Sequence, residues 1–252
     1  MQAYRKYIAV LAGTFALFLL LFFPARAGFW LFAPQGVNGF GFSGTVWNGS
    51  SEIIQAGNIQ LRDTQWDLNL LRLLLGQIAG DIETRWNGGF LEGFVAVAIS
   101  GDIAVRDARG NFDASALQAA FNTPPMGGQI SVDIASLELS DRWPEDLVAT
   151  AEVRNLSSPM LGTGTDGMLG SFAIRFDTTT ETEVGSVTGK IEDSGGPLEA
   201  NGTLLLTAPA QYSLKVRVKP RDGISLALRR NLDFLGPPEA DGARIFQLAG
   251  SM

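Results

Sequence analysis

The sequence contains no histidine and no cysteine. Without histidine it lacks the commonest general base and the commonest metal ligand near neutral pH. Without cysteine it lacks thiol nucleophiles, thiolate-bound zinc, iron–sulfur clusters and disulfides. An exported bacterial domain of this size can fold without disulfides, so the second absence does not exclude an oxidising compartment. Basic residues are scarce outside the N-terminus. Three of the 19, Arg5, Lys6 and Arg26, lie in the first 27 residues, which hold no acid. The 16 that remain face 26 acids, so the rest of the chain carries −10 and the whole chain −7. An acidic body is a poor match for nucleic acid, because phosphate binding needs clustered Lys and Arg. Its charge reads as a soluble, self-repelling surface.

What is abundant is apolar residue and glycine. The hydrophobic fraction of 46% over 252 residues suffices for a core, in one large β domain or two modest ones. Thirty glycines suit a chain of many short strands with turns and bulges.

Ile8 to Phe23 is an uncharged run of about 16 residues, near the length that spans a bilayer. Tyr4, Tyr7, Phe29 and Trp30 extend it as an aromatic belt, and Arg5 and Lys6 precede it. The positive-inside rule then leaves the N-terminus cytoplasmic and translocates the body. Ala25-Arg26-Ala27 also fits a signal-peptide cleavage site, which would start the mature chain at Gly28. The expectation adopted is a retained anchor, residues 1–30, followed by a periplasmic β domain, residues 31–252.

Alternation of period two dominates that domain. Tyr212, Leu214, Val216 and Val218 alternate with Ser213, Lys215, Arg217 and Lys219, a strand with one wet face. Phe172, Ile174 and Phe176 alternate with Arg175 and Asp177, and Ile130, Val132 and Ile134 with Ser131 and Asp133. In that last strand the phase flips to Leu137 and Leu139, which predicts a bulge. Turn signals fall at Asn48-Gly49, Asn87-Gly88-Gly89, Arg109-Gly110-Asn111, Gly127-Gly128, Ser194-Gly195-Gly196-Pro197 and Asn201-Gly202. Helical patterns are limited to Leu68–Leu75, Asp113–Phe121 with Asp113 as N-cap, and Ser225–Leu235. The fold class expected is mainly β: a predominantly antiparallel sheet, a meander or two layers or a groove, with few short helices. Asn122-Thr123-Pro124-Pro125-Met126-Gly127 separates possible halves 31–122 and 127–252, which could equally share one continuous sheet.

No constellation for catalysis emerges. Glu192/Asp193, Asp141/Glu145 and Asp177/Glu181 are pairs that chance supplies among 26 acids, and strand spacing cannot place two carboxylates across a cleft. Asp166-Gly167 and Asp241-Gly242 are turn dipeptides without a calcium-loop ligand run. Gly162-Thr163-Gly164 lacks the Lys-Ser/Thr of a phosphate loop, and nothing near Ser43 or Ser50 would activate a hydroxyl. The reading is therefore no catalytic, cofactor-binding or metal-binding residue. Lys215, Arg217 and Lys219, with Arg221 beyond them, form one basic stripe on one strand face, a solvated face or a contact for an acidic partner or lipid headgroups.

The most specific element is Gly44-Thr45-Val46-Trp47-Asn48-Gly49, read as a strand closed by an Asn-Gly turn, the first strand after the anchor. Trp66-Asp67-Leu68-Asn69-Leu70-Leu71-Arg72-Leu73-Leu74-Leu75-Gly76 follows. Further on stand Asp193-Ser194-Gly195-Gly196-Pro197-Leu198, Asn201-Gly202-Thr203-Leu204, Tyr212-Ser213-Leu214, Lys219-Pro220-Arg221, Leu232-Asp233-Phe234-Leu235-Gly236 and Asp241-Gly242-Ala243-Arg244. This ordered set resembles the type II secretion system protein N family. Leu70 stands where the family pattern has proline, which touches only the local turn. The resemblance implies a non-enzymatic, single-pass inner-membrane protein with a periplasmic β domain and other secretion-system subunits as partners. Gly44, Thr45, Trp47, Gly49, Trp66 and Gly76 are then structural motif residues. At the level of pattern the family is also similar to AsmA-like envelope proteins, which implies a lipid- or hydrophobic-ligand-binding groove as the alternative.

Overall fold

The computed structural model describes residues 2–121, 125–141, 143–160, 162, 164–180, 185–209, 211–233 and 236–251. Two helices come first, α1 (Gln2–Leu21) and α2 (Ala25–Phe32). Then follow β1 (Val37–Phe40), β2 (Ser43–Gly44), β3 (Asn48–Ala56), β4 (Ile59–Leu68), α3 (Leu70–Leu73), β5 (Gln77–Trp86), β6 (Gly89–Ala98) and β7 (Ile103–Asp113). The remainder is α4 (Ser115–Phe121), β8 (Gly127–Ser140), β9 (Trp143–Ser157), β10 (Met168–Asp177), β11 (Ser186–Gly195), β12 (Leu198–Thr207), β13 (Gln211–Pro220), α5 (Leu226–Asp233) and β14 (Arg244–Ser251).

All fourteen strands belong to one antiparallel sheet. From β3 onward each pairs with the next in sequence, β1 lies outside β3, and β2 pairs only with β3. The sheet runs on through β7 and β8, from Ile103 opposite Leu139 to Asp113 opposite Gln129, so no break separates residues 31–122 from 127–252.

Register alone sorts the side chains onto two faces, since directly opposed residues share a side. One row runs from Thr84 through Leu91, Gly110, Val132, Ala151, Ile174, Ile191 and Gly202 to Val216 and Phe246. This inner face is apolar along its length. The outer face carries charges paired between neighbouring strands: Arg109 with Asp133, Arg175 with Glu192 and Arg106 with Glu138. These pairs are well exposed, so they order the outer face more than they stabilise it.

The phase flip in β8 is a bulge. Ile134 pairs with Ala149 and Ser136 with Val148, which leaves Ala135 extra. The bulge keeps Leu137 and Leu139 on the inner face with Ile134. Similar one-residue insertions at Asp63 in β4 and Asp107 in β7 have φ of +47° and +48°. Short polar side chains tolerate that left-handed conformation best.

Glycine serves two purposes. Asn87-Gly88 links β5 to β6 with φ of +44° and +82°, the two-residue turn that matches strand twist. Four expected turns belong to strands instead: Asn48-Gly49 begins β3, Gly127-Gly128 begins β8, Arg109-Gly110-Asn111 lies in β7, and Asn201-Gly202 in β12. At Gly202 an added Cβ would lie 2.9 Å from Val216 Cα, and at Gly93 it would lie 2.7 Å from Ala108 Cα. Such glycines on the inner face give the sheet room to curl. Strands β9 and β11, next-nearest neighbours, come within contact distance, so the curl is tight there.

Short helices close one end of the inner face. Ala114, just before α4, and Ala116, in its first turn, pack with Phe112 and Ile130 and against Trp86, whose ring centroid is 4.7 Å from that of Phe112. In α5, Leu228 and Leu232 bury against Leu198 and Val218. Ser225 caps α5 by accepting from the Leu228 amide, 3.1 Å. Asp113, expected to cap α4, ends β7 and receives Gln129 Nε2 at 2.5 Å. Of Leu68–Leu75, only Leu70–Leu73 is helical, with Asn69 accepting from the Leu71 amide at 3.0 Å. Leu70 is therefore the first helical residue, where proline is also well tolerated because its missing N–H would have had no partner. The departure from the family pattern leaves the turn intact.

Candidate functional site

The site with the most specific geometry is the joint between the N-terminal helices and the sheet, built by the tryptophan motif. Thr45-Val46-Trp47 is a tight loop between β2 and β3, not a strand, and β1 precedes it. The expectation failed because the tryptophan side chain and the loop's own backbone groups find partners outside the ladder. Gly44 opens the loop at φ +76°. The Thr45 N–H donates to Asn48 O at 2.8 Å, and the Asn48 N–H returns to Thr45 Oγ1 at 3.0 Å. That closure presents Val46 and Trp47 to the helices.

Trp47 Nε1 donates to Leu20 O at 2.7 Å. Leu20 lies in the last turn of α1, where its carbonyl otherwise accepts only a long bond from the Phe23 N–H at 3.5 Å, so the indole adds a cap to the helix end. The Val46 N–H donates to Phe23 O at 2.9 Å, and Pro24 bridges to Thr45. Trp66 Nε1 then donates to Val46 O at 2.9 Å, tying the loop down to β4. Gly49 lies opposite Trp66 in the register. A Cβ there would stand 2.5 Å from Thr45 O and 2.7 Å from Trp66 Cζ2. On the helix side, Ala25 is buried and Gly28 sits against the Val46 side chain, where a methyl group would collide. Phe29 packs on Phe42 with ring centroids 4.6 Å apart. The joint thus unites Gly44, Thr45, Trp47, Gly49 and Trp66. Gly76 lies apart, ending α3 at φ +74°.

Beneath the joint lies an open, almost wholly apolar cavity of about 980 Å³. Phe15, Leu19 and Phe23 form one wall, and Ile54, Trp66, Ile78 and Ile82 of the inner face form the other. Thr64 brings the one hydroxyl to its lining. That hydroxyl is committed to Thr84 Oγ1 at 2.8 Å, and Thr84 Oγ1 also reaches Arg62 O at 3.3 Å. Among the described residues that line the cavity, the polar side-chain groups of Trp47, Thr64 and Trp66 are all engaged within the chain.

The basic stripe lies on the outer face of β13, as alternation predicts. Arg217, Lys219 and Arg221 are engaged within the chain. Arg217 donates to Glu239 at 2.9 Å and to Asp241, and Lys219 Nζ lies 3.8 Å from Asp241. The Arg217 hydrogen bond holds the Asp241 carboxyl below its ordinary value, with the Ala243 N–H adding to the effect. Asp241, and after it Glu239, raise Arg217 in turn. Arg221 binds Asp193 at 2.5 Å and the carbonyls of Gly196 and Leu198. Lys215 is exposed. Asp241-Gly242, read from sequence as a bare turn, is thus the anchor of this network.

The remaining candidates have structural surroundings. Ser43 Oγ and Ser50 Oγ hydrogen-bond to each other across β2 and β3 at 2.8 Å. Glu192 pairs with Arg175 at 3.1 Å. Trp86 lies against the core beside Phe112, and Trp143 is 8% exposed. Glu181 lies outside the described residues, as do Asn122, Thr123 and Pro124 of the segment between the expected halves. The helix-side members of the joint, Leu20, Phe23 and Gly28, were not singled out from sequence. Leu20 and Phe23 were marked only by membership of an apolar run, and Gly28 only by following a possible cleavage site.

The geometry of the joint can be set beside known proteins. A family model described as type II secretion system (T2SS), protein N, matches residues 35–247. The chain is 26% identical over 231 residues to the type II secretion system protein N of Vibrio cholerae serotype O1 (strain ATCC 39315 / El Tor Inaba N16961), covering 87% of this chain and 86% of that protein. No solved structure matches. The matched span holds the loop of the joint, the curled sheet and the Arg217–Asp241 network, and the chain belongs to the type II secretion system protein N family.

Proposed function

We propose that this chain is a non-enzymatic component of the type II secretion system, held in the inner membrane by its N-terminal helix and carrying its β-sheet in the periplasm. Family membership supports the secretion role. Among the described residues no helix is long and apolar enough to cross a membrane. Support for attachment comes from exposure: Ile8, Val10, Leu11, Phe15, Leu17 and Phe18 of α1 are each 57–72% exposed, and Trp30 is 83% exposed. A helix that shows apolar residues all round needs lipid or protein around it. Arg5 and Lys6 ahead of the run favour a cytoplasmic N-terminus.

The observation that carries the anchored reading is the joint. Cleavage after Ala27 would remove Leu20, Phe23 and Pro24, the partners of Trp47, Val46 and Thr45. These contacts support a segment that stays attached to the sheet. Other secretion-system subunits are the partners proposed, with Lys215 the free contact for an acidic one, since Arg217 and Lys219 already face Glu239 and Asp241. A clean deletion should block export of secreted enzymes while cytoplasmic proteins remain normal. Unimpaired export, or a mature protein whose first residue is Gly28, would refute this reading. Lys215→Glu should weaken crosslinking to the partner.

A second reading, binding of a lipid or other hydrophobic ligand, is favoured by the 980 Å³ apolar cavity. Apolar pockets of this scale take apolar ligands without needing polar contacts. Native mass spectrometry of the full chain should show a co-purifying hydrophobic adduct, and a clean mass after gentle extraction would count against it.

A further inference from the structure

Beside the joint, α3 with its loop to β5 and the turn between β6 and β7 form a blunt apolar tip. Leu74, Leu75 and Ile99 are 84%, 78% and 87% exposed there, more than any other large apolar side chain among the described residues beyond α2, and Leu71 is 71% exposed. The backbone of the tip is internally paired. The Leu74, Leu75 and Gly76 amides donate to Leu71 O, Arg72 O and Leu73 O at 3.2, 3.0 and 3.0 Å, and the Ile99 amide donates to Gly76 O at 3.0 Å. Asn69 takes the Leu71 amide on Oδ1 at 3.0 Å and the Arg72 amide on its carbonyl at 3.1 Å. Leu73 and Ile78 line the same cavity as Phe15 and Leu19, so the tip stands next to α1. Farther along that helix, away from the joint, Tyr7, Ile8, Val10 and Leu11 are 64–75% exposed. Residues 68–80 hold Arg72 and no acid, within a body that is strongly acidic. Arg72 lies 4.9 Å over the Phe94 ring and makes no ion pair among the described residues. The acid of the neighbouring turn, Asp102, is taken by Ser100 and Ser140 at 2.7 and 3.2 Å.

We infer that this tip is a lipid-contacting surface: Leu71, Leu74, Leu75 and Ile99 enter the bilayer interface beside α1, and Arg72 meets headgroup phosphates. The inference rests on the anchored reading, because α1 is what brings the tip to the membrane. Three properties favour lipid as the occupant. Irregular backbone enters an apolar layer only where its polar groups are satisfied, and the amides at 71, 72, 74, 75, 76 and 99 already have partners. The tip offers aliphatic side chains with a single cation, the combination that binds an anionic bilayer surface. It also adjoins a helix whose own apolar side chains are exposed all along it. A protein interface would instead carry a rim of hydrogen-bonding groups. Helix and tip together then hold the sheet to the bilayer at two points. An apolar surface on another protein is the competing occupant, and a membrane of lipid alone tells the two apart.

The chain has no cysteine, so a single introduced thiol carries a polarity-sensitive fluorophore without background. The full chain is reconstituted in vesicles of phosphatidylethanolamine and phosphatidylglycerol, with and without spin-labelled lipid as quencher. Labels at Leu74→Cys and Ile99→Cys should shift to the blue and lose fluorescence to the spin label. A label at Asn58→Cys, in the turn at the far end of β3 and β4, should stay aqueous. Val10→Cys reports α1 separately. Quenching at Val10 with aqueous labels at Leu74 and Ile99 overturns the tip contact and leaves the anchored reading standing. Quenching at the tip with an aqueous label at Val10 upholds the contact and refutes the anchor. Equal quenching at Asn58 and at the tip also overturns the proposal. Leu74→Ser/Ile99→Ser removes side chains that are almost wholly exposed, so the melting temperature should hold while a label at Leu71→Cys returns to water. A Leu71 label quenched as strongly as before would count against insertion.

Discussion

Replacing Trp47 with alanine should release the N-terminal helices and leave the sheet folded. The indole contributes one hydrogen bond to Leu20 O, worth about 1 kcal/mol net. The ring is half-buried against the helices, and about 80 Å² of lost apolar contact at ~25 cal/mol per Å² adds roughly 2 kcal/mol. The loss of about 3 kcal/mol falls on docking, and converts to about a hundredfold rise in the open population. The Val46 amide, which donates to Phe23 O, reports that population directly by hydrogen exchange. Limited proteolysis between Leu21 and Pro34 reports it a second time. Trp47→Phe keeps most of the ring, so only the hydrogen bond goes and exchange should rise about fivefold. Amides of β6 to β12 should hold their protection in both variants, because none of their ladder bonds involves the joint. Protection lost evenly across β6 to β12, or an unchanged Val46 amide, would refute the docking role.

Gly49→Ala should lower the urea midpoint by an amount equivalent to about 2–3 kcal/mol, because the new methyl meets Thr45 O, Trp66 Cζ2 and Ser43 O at 2.5–2.9 Å with backbone on two sides. Thr64→Val should cost about 1 kcal/mol in the same assay and enlarge the cavity's capacity for hydrophobic dyes, since Thr84 keeps Arg62 O as a partner. Asp241 has a folded-state value below its ordinary 3.8. Its contribution is therefore present above the unfolded value and lost as pH falls through the lower, folded one. Asp241→Asn should flatten that acid-side slope in denaturation midpoints taken across the range, lowering the midpoint at neutral pH and leaving it unchanged at acid pH, where the parent carboxyl is protonated as well.

Much of the fold was legible residue by residue. Alternation in Tyr212–Lys219 needs only the period of a strand, and the phase flip after Ile134 revealed a bulge because an inserted residue swaps faces. Asn87-Gly88 was legible because both residues accept positive φ. Gly110 and Gly202 misled for the opposite reason. Glycine also marks close approach on a curved inner face, and one sequence cannot separate lack of a side chain from backbone freedom. Asp113 looked like a cap because it precedes an alanine-rich helix, yet pairing with Gln129 extended β7 through it. The joint was half legible. Trp47 and Gly49 stood out by residue type, while Leu20, Phe23 and Gly28 are apolar or small residues with nothing to mark them as partners of the loop.

By itself the sequence determined the absence of histidine and thiol chemistry, the strand periodicity, the acidic balance and the motif set that carries the family resemblance. These are properties of residue type and spacing, and no fold could change them. The tertiary structure alone decided that the strands form one sheet rather than two halves, that Thr45–Trp47 is a loop clasping a helix, and that Arg217 and Lys219 are neutralised by Glu239 and Asp241. Each of these depends on partners about 20 or more residues away in the chain. Nothing in local spacing specifies which distant carbonyl an indole caps or which carboxylate a guanidinium meets.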